Sequence, residues 1–172
     1  MRTLWLSQAG TVILVLLGGL SSVVMAQSET QAPVEAVHAT GSTSASEISA
    51  PTITTMPNGA TRITVNGHWV LTMDDPRFSG TETFIHTEDH YGETVGPVFG
   101  TTRLENEGGA WLGQYRGVIL PDGSATYVGT YVGEGGYEGL SAACSSHSDG
   151  GGVKGACILY PGLVPEIGQP TG

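Results

Sequence analysis

The sequence predicts an all-β protein built on a small, closed antiparallel barrel of about eight strands. Two observations carry this prediction. The chain has 27 glycines in 172 residues and only 13% charged residues, and few of its segments are good helix formers. Short runs of β-branched and aromatic residues follow one another, separated by turn residues, which is typical of barrels and sandwiches. A chain of this length can hold one domain with a core, plus accessory segments.

Residues 1–26 have the parts of a secretory signal peptide. Arg2 supplies a positive charge, an apolar run begins at Thr11, and Val24 and Ala26 are small residues suited to a cleavage site. The apolar run is shorter than the roughly 20 residues that a membrane span needs. We therefore expect cleavage and a secreted or periplasmic protein with no membrane contact, and an uncleaved membrane anchor is the alternative.

Residues 27–58 are rich in Ser, Thr, Ala, Pro and Glu and show no sustained apolar period. Such a segment buries too little apolar surface to offset the entropy lost on ordering, so we predict a disordered linker. One alternative stays open, in which part of 47–55 pairs as an edge strand. The barrel domain is expected over 59–162, and residues 163–172 are expected to form a C-terminal tail.

Seven or eight short strands are predicted within the barrel domain, because 62–71 is either one strand or a pair bent at Gly67. A turn is predicted at 74–77, where Pro76 fixes φ, and a loop at 88–93. Alternation along the second strand places Glu82, Phe84 and His86 on one face. The predicted strands are 62–71, 78–87, 95–105, 110–120, 125–132, 138–146 and 153–160.

Glycines and aromatic residues share one face of two neighbouring strands, and this favours a barrel over a sandwich. Glycine inside a strand weakens it and leaves space, so glycines beside rings indicate a tightly curved sheet with aromatic side chains filling the gaps. Ordinary sheet packing in a sandwich is the alternative. The residues are Trp111, Gly113, Tyr115 and Gly117 on the first strand, and Tyr127, Gly129, Tyr131 and Gly133 on the second.

The two cysteines, Cys144 and Cys157, are predicted to form a disulfide. An exported protein folds where disulfides persist. A hairpin that turns between Gly150 and Gly151 places the two cysteines directly opposite each other, within bridging distance. A redox-active pair and metal binding with His147 are the alternatives.

Four stretches of the domain resemble bacterial exported proteins of unassigned function, which in turn resemble the allene oxide cyclase and dirigent superfamily. They are DPRFSGT (75–81), GTTRLEN (100–106), GAW (109–111) and GEGGYEGL (133–140). The resemblance covers roughly 60–160 and implies a calycin-like barrel with a central cavity, often dimeric or trimeric. No position matches a proton donor or cyclase site of those enzymes, which leaves catalysis in doubt.

Charge and motifs exclude several functions. The net charge of −10, with six scattered basic residues, argues against a nucleic-acid partner. No nucleophile elbow or phosphate-binding loop occurs, and no cofactor is expected. His86 and His90 are weak candidates for a metal site with Glu88 and Asp89, because their spacing suits zinc on a helix and not at the end of a strand.

Three functions remain open at this point. The first is non-catalytic binding of a small apolar molecule or a protein partner, the second is a cyclase or isomerase that acts on a hydrophobic substrate in the cavity, and the third is a structural module of the cell surface. Charged residues within strands must face solvent, a cavity or a carboxylate. The candidate ligand-binding residues are Arg103, Trp111, Tyr115, Arg116, Tyr127 and Tyr131, and the sequence leaves open which strand face is interior.

Overall fold

The structure, a computed structural model, describes residues 36–149 and 152–165. These residues form nine β-strands and one short 3-10 helix, Pro76–Phe78. The strands are β1 (Val37–Ile48), β2 (Thr52–Thr55), β3 (Thr61–Met73), β4 (Gly80–Tyr91), β5 (Thr94–Asn106), β6 (Gly109–Ile119), β7 (Ala125–Gly135), β8 (Leu140–Ser148) and β9 (Val153–Pro161).

Eight of the strands close into a ring of backbone hydrogen bonds. β3 to β9 pair antiparallel with their neighbours in chain order, and β1 completes the ring by pairing with β9 on one side and β3 on the other. Within the described residues, β2 pairs with β3 alone and lies outside the ring. The predicted all-β, eight-stranded antiparallel architecture is therefore confirmed, and closure removes the free edges that an open sheet would expose.

The disordered linker predicted for 27–58 is wrong over the part that forms β1 and β2. β1 is held by backbone pairing on both sides, so it needs few apolar side chains. Its inward positions are also crowded: Ala39 is fully buried, and a side chain at Gly41 would clash with Met73. Small residues are required here. Because small polar residues are also typical of disordered linkers, the composition led to the wrong prediction. The alternative of an edge strand within 47–55 is confirmed by β2.

Residues 1–35 lie outside the described residues, and with them the predicted signal peptide, the start of the predicted linker and the question of cleavage. The last residues of the predicted tail, 166–172, lie outside them too. In the described part of the chain, none of the helical segments has the length and apolar character needed to cross a membrane.

The structure shows how far β3 and β4 extend and how each is connected to the next strand. β3 continues without a break through Gly67, and Asp75 caps the 3-10 helix by accepting a hydrogen bond from the backbone N–H of Arg77. The loop predicted at 88–93 is wrong, because β4 runs on to Tyr91 and reverses at Gly92, whose φ of 64° suits glycine. His86, Glu88 and His90 therefore stand on a strand.

A compact aromatic cluster fills one end of the ring. Trp111 and Phe78 are fully buried, with ring centroids 5.1 Å apart in an edge-to-face arrangement. Tyr137 stacks on Trp111, with ring centroids 5.1 Å apart. This end carries the 3-10 helix and the β5–β6 and β7–β8 turns, and we call it the closed end.

The predicted hairpin and disulfide are confirmed. β8 and β9 pair in the expected register, with Cys144 opposite Cys157, and the two residues form a disulfide with a Cα–Cα separation of 4.1 Å. The bond is consistent with an extracytoplasmic protein, since disulfides persist in oxidising compartments.

Candidate ligand cavity

The structure decides which face of β6 and β7 is interior. Trp111 is fully buried and Tyr115 lines a cavity, whereas Leu112 and Val118, on the opposite face of β6, are about half exposed. Register places Tyr131 opposite Gly113 and Tyr127 opposite Gly117 on the same inward face. Four of the predicted ligand-binding residues, Trp111, Tyr115, Tyr127 and Tyr131, therefore point into the barrel. The three tyrosines line the cavity, whereas Trp111 is packed in the core cluster of the closed end and is not among the lining residues.

A cavity of about 370 Å³ lies inside the ring, above the closed end. Glycines make room for the tyrosine rings around it: an added Cβ at Gly100, Gly113 or Gly117 would meet the ring of Tyr115, Tyr131 or Tyr127. Exposed Ile48 is among the lining residues, so the cavity reaches the surface at the other end of the ring, which we call the mouth. Its apolar and aromatic walls include Val65, Trp69, Leu71, Met73, Phe78, Phe84, Tyr115, Tyr127, Tyr131 and Val153.

Glu82 is the carboxyl group in the deep part of this cavity. It is 4% exposed, and three side chains donate hydrogen bonds to it. Trp69 Nε1 donates to Oε2, Thr102 Oγ1 donates to Oε1, and the Tyr131 hydroxyl lies 3.4 Å from Oε1. Strand pairing brings these partners from β3, β5 and β7 around one inward position of β4.

Burial keeps this carboxyl group uncharged over a wider pH range than usual. Desolvation raises the pKa of Glu82, and the hydrogen bonds from Thr102, Trp69 and Tyr131 only partly offset it, since no cation stands beside it in the described residues. Desolvation and the nearby Glu82 also raise the pKa of Tyr131 well above its ordinary value. Burial thus favours the protonated form of Glu82 and the neutral phenol of Tyr131 on the floor of the cavity.

Nearer the mouth, a second polar group forms a chain of hydrogen bonds. His86 Nε2 lies 2.9 Å from Glu88 Oε1, and His90 Nε2 lies 2.9 Å from Glu88 Oε2. His86 Nδ1 lies 2.8 Å from the Tyr115 hydroxyl. An ionised carboxylate only accepts, so both histidines donate to Glu88. The Tyr115 hydroxyl both donates and accepts, so it can pair with His86 Nδ1 in either direction.

The mouth chain holds its carboxylate ionised. Burial acts to raise the pKa of Glu88, but the hydrogen bonds and charge interactions with His86 and His90 outweigh it, and the net pKa is lowered. Desolvation raises the pKa of Tyr115 and of Tyr127, which stay neutral phenols. The pKa of the carboxyl group on the cavity floor is therefore raised, and that of the carboxyl group near the mouth is lowered.

The predicted metal candidates divide between two faces of β4. Asp89 faces outward, where it accepts two hydrogen bonds from Arg62, at 2.6 and 2.8 Å. His86 and His90 face inward and share Glu88. Residues 36–149 and 152–165 contain no group of three His, Cys, Asp or Glu side chains placed to hold a metal ion.

Arg103 and Arg116 are not brought to the cavity. Arg103 lies on the outer face of β5 and pairs with Glu105 and Glu134, at 2.8 Å each. Arg116 is exposed on the outer face of β6, opposite Val128. A charge inside a strand is unusual, and in both residues the charged group lies on the outer face of the ring.

Sequence reasoning missed Glu82, Glu88, Trp69 and Thr102 as cavity residues. One usable signal was present, because alternation already placed Glu82 with Phe84 and His86. The sequence does not show whether that face is interior, nor the register that brings β3, β5 and β7 to Glu82.

Comparisons of the chain with protein-family models, with curated proteins and with solved structures return no match.

Proposed function

We propose that this protein is an exported binding protein that takes a small, mostly apolar molecule into the cavity of its barrel. The observation that carries the proposal is the open cavity of about 370 Å³ with aromatic and aliphatic walls. Small-molecule sites are concave, mainly apolar and supplied with few polar groups, and this volume lies near the lower end of their usual range. Export is supported by the predicted signal peptide and by the disulfide.

The volume sets the size of the molecule. An apolar cavity of about 150 Å³ in another protein holds one benzene ring, and this cavity has between two and three times that volume. A compound of two or three aromatic rings or a short branched chain fits it. Long acyl chains would have to project through the mouth.

Fluorescence titration with N-phenylnaphthylamine tests the proposal, because this neutral probe brightens in apolar surroundings. We expect saturable binding at micromolar concentration. Ser146→Phe places a ring in the cavity from β8 and should abolish binding, whereas Ser44→Phe adds the same ring on the outer face of β1 and should leave it unchanged. Absence of saturable binding in the folded wild type would overturn the proposal.

An enzyme of the cyclase or isomerase type is the second candidate. The observation in its favour is Glu82, an inward-facing carboxyl group with a raised pKa beside Tyr131. Acids of this kind can donate a proton to a bound substrate. Recovery of the bound molecule by mass spectrometry separates the candidates: a binding protein returns it unchanged, and an isomerase returns a product of equal mass with a new retention time.

The other expectations stay predictions. They are the resemblance to the allene oxide cyclase and dirigent superfamily, a protein partner, a homo-oligomer and a structural role at the cell surface. Size-exclusion chromatography with light scattering tests the oligomeric state.

A further inference from the structure

We infer that the bound molecule is neutral and carries a hydrogen-bond acceptor, a ketone or aldehyde oxygen, at the end that reaches Glu82. This inference rests on the proposed binding function and adds the chemical class of the ligand and its orientation. The acceptor end lies on the cavity floor, and the apolar body extends toward the mouth.

The hydrogen bonds of Glu82 leave one position for a ligand. Oε1 accepts hydrogen bonds from the hydroxyl groups of Thr102 and Tyr131. Oε2 accepts one from the indole N–H of Trp69, which can only donate. Burial without a Lys or Arg in the lining favours the protonated form of Glu82, and in that form the proton is best placed on Oε2, which has one partner among the described hydrogen bonds. That O–H is a donor on the cavity floor, and a ligand oxygen is the group that satisfies it.

The partners of Glu82 are fixed by aromatic packing. Trp69 stacks on Phe84 with ring centroids 4.0 Å apart, and Tyr131 meets Phe78 edge to face at 4.9 Å. Neither ring can turn away without losing these contacts. The donor is thus held in place before the ligand arrives, which reduces the entropy lost on binding.

The charge of the cavity selects a neutral ligand. No Lys or Arg lines it within the described residues, so an anionic head group would meet no counter-ion on the floor. A cation at that depth would require Glu82 to ionise while buried, which desolvation opposes. A carbonyl group has neither problem, because it accepts a hydrogen bond without carrying a charge.

Two compounds of equal shape test the inference. Acetylnaphthalene and isopropenylnaphthalene differ in having C=O or C=CH₂ at the same position, and each is titrated as a competitor of N-phenylnaphthylamine. We expect the wild type to bind the carbonyl compound about fivefold more tightly, the value of one net hydrogen bond. Glu82→Met should abolish the preference, and Glu105→Met, the same change on the outer face of β5, should keep it.

Folding of Glu82→Met is checked by thermal denaturation, because this variant leaves three donors without their acceptor. Glu82→Gln is the second variant: its amide oxygen accepts from Trp69 in place of Oε2 and has no proton to donate to the ligand, so this variant should also lose the preference. Equal affinity of the two compounds for the wild type would overturn the inference and leave the binding function intact. A preference that survives in folded Glu82→Met would overturn the role of Glu82. Failure of both compounds and of the fluorescent probe to bind would remove the binding function, and the inference with it.

Discussion

Glu82 and Glu88 lie on the same inward face of β4, and their pKa values are shifted in opposite directions. Burial without a cation raises the pKa of Glu82, whereas hydrogen bonds from two histidines lower the pKa of Glu88 in spite of its burial. The protonated form of the acid is thus favoured at the cavity floor and the ionised form at the mouth. The stability of the protein should respond to pH with opposite signs at the two positions.

Glu82 should destabilise the fold as pH rises. Below the unfolded-state value of 4.5 the group is protonated in both states. Above it, the unfolded chain ionises while the folded protein holds its proton, so the free energy of unfolding falls until pH passes the raised pKa. The slope is at most about 1.4 kcal/mol per pH unit. Urea unfolding of the wild type and Glu82→Gln, from about pH 4 to about pH 8, measures it.

The informative quantity is the difference between the two proteins at each pH, because other carboxyl groups titrate equally in both. We expect the free energy of unfolding of Glu82→Gln to increase relative to that of the wild type as pH rises. A difference that stays constant across the range would show that Glu82 titrates normally in the folded state.

Glu88 should show the reverse dependence. Its carboxylate is ionised and hydrogen-bonded in the folded protein, so it stabilises the fold above the unfolded-state value of 4.5, and this contribution is lost as pH falls through the lowered folded pKa. Glu88→Gln should cost about 2 kcal/mol at neutral pH, the scale of hydrogen bonds to a charged group. In strong acid the variant and the wild type should converge, and the same urea series measures this. A cost that persists unchanged in acid would contradict the assignment.

The disulfide should contribute about 3 kcal/mol to the free energy of unfolding in the chain-entropy model, given its sequence separation of 13 residues. Replacing Cys144 and Cys157 by alanine should lower the midpoint of urea unfolding accordingly. Dithiothreitol should produce a similar loss in the wild type and none in the variant. An unchanged midpoint after complete reduction would show that the bond is not structural.

The β8–β9 hairpin shows how far the sequence could predict this fold. Glycines at 150–152 marked the turn, and the turn position fixed the pairing of Cys144 with Cys157. Such a local signal predicts the register of the hairpin because only a few residues join the two strands. The alternation of Gly and Tyr along β6 and β7 is also a local signal, and it predicted a curved sheet.

β1 and Glu82 show where prediction failed. β1 pairs with β3 and β9, which are distant in the sequence. Its Ser- and Thr-rich sequence is not joined to either partner by a tight turn that would predict the pairing. Glu82 receives donors from β3, β5 and β7, so its environment exists only after ring closure. A local pattern cannot report groups that meet through long-range pairing.

Removing the outer arginines should leave ligand binding unchanged. Arg103 pairs with Glu105 and Glu134 on the exposed surface, and exposed ion pairs contribute about 1 kcal/mol or less. Arg103→Ala and Arg116→Ala should therefore bind N-phenylnaphthylamine as the wild type does. Tyr131→Phe, which removes only a hydroxyl group from the inward face, should alter binding. A loss of affinity in either arginine variant would place the site on the outer face.

Gly113 should be intolerant of a side chain because the Tyr131 ring occupies the space above it. A Cβ at Gly113 would overlap two ring carbons of Tyr131, whereas one at Gly129 would be only slightly crowded, with its nearest atom at 3.2 Å. We expect Gly113→Ala to cost about 1 to 3 kcal/mol, as overpacking does, and Gly129→Ala to cost less. Thermal denaturation compares the two.

The double variant Gly113→Ala with Tyr131→Leu separates ring crowding from glycine's backbone role. If the ring is the cause, Gly113→Ala should cost less when Tyr131→Leu is already present than in the wild type, and the double-mutant cycle should give a coupling energy of about 1 kcal/mol or more. Additive costs would mean that Gly113 is required for backbone curvature instead. The single change Gly113→Ala should also weaken probe binding by displacing Tyr131, because the same ring lines the cavity and reaches Glu82.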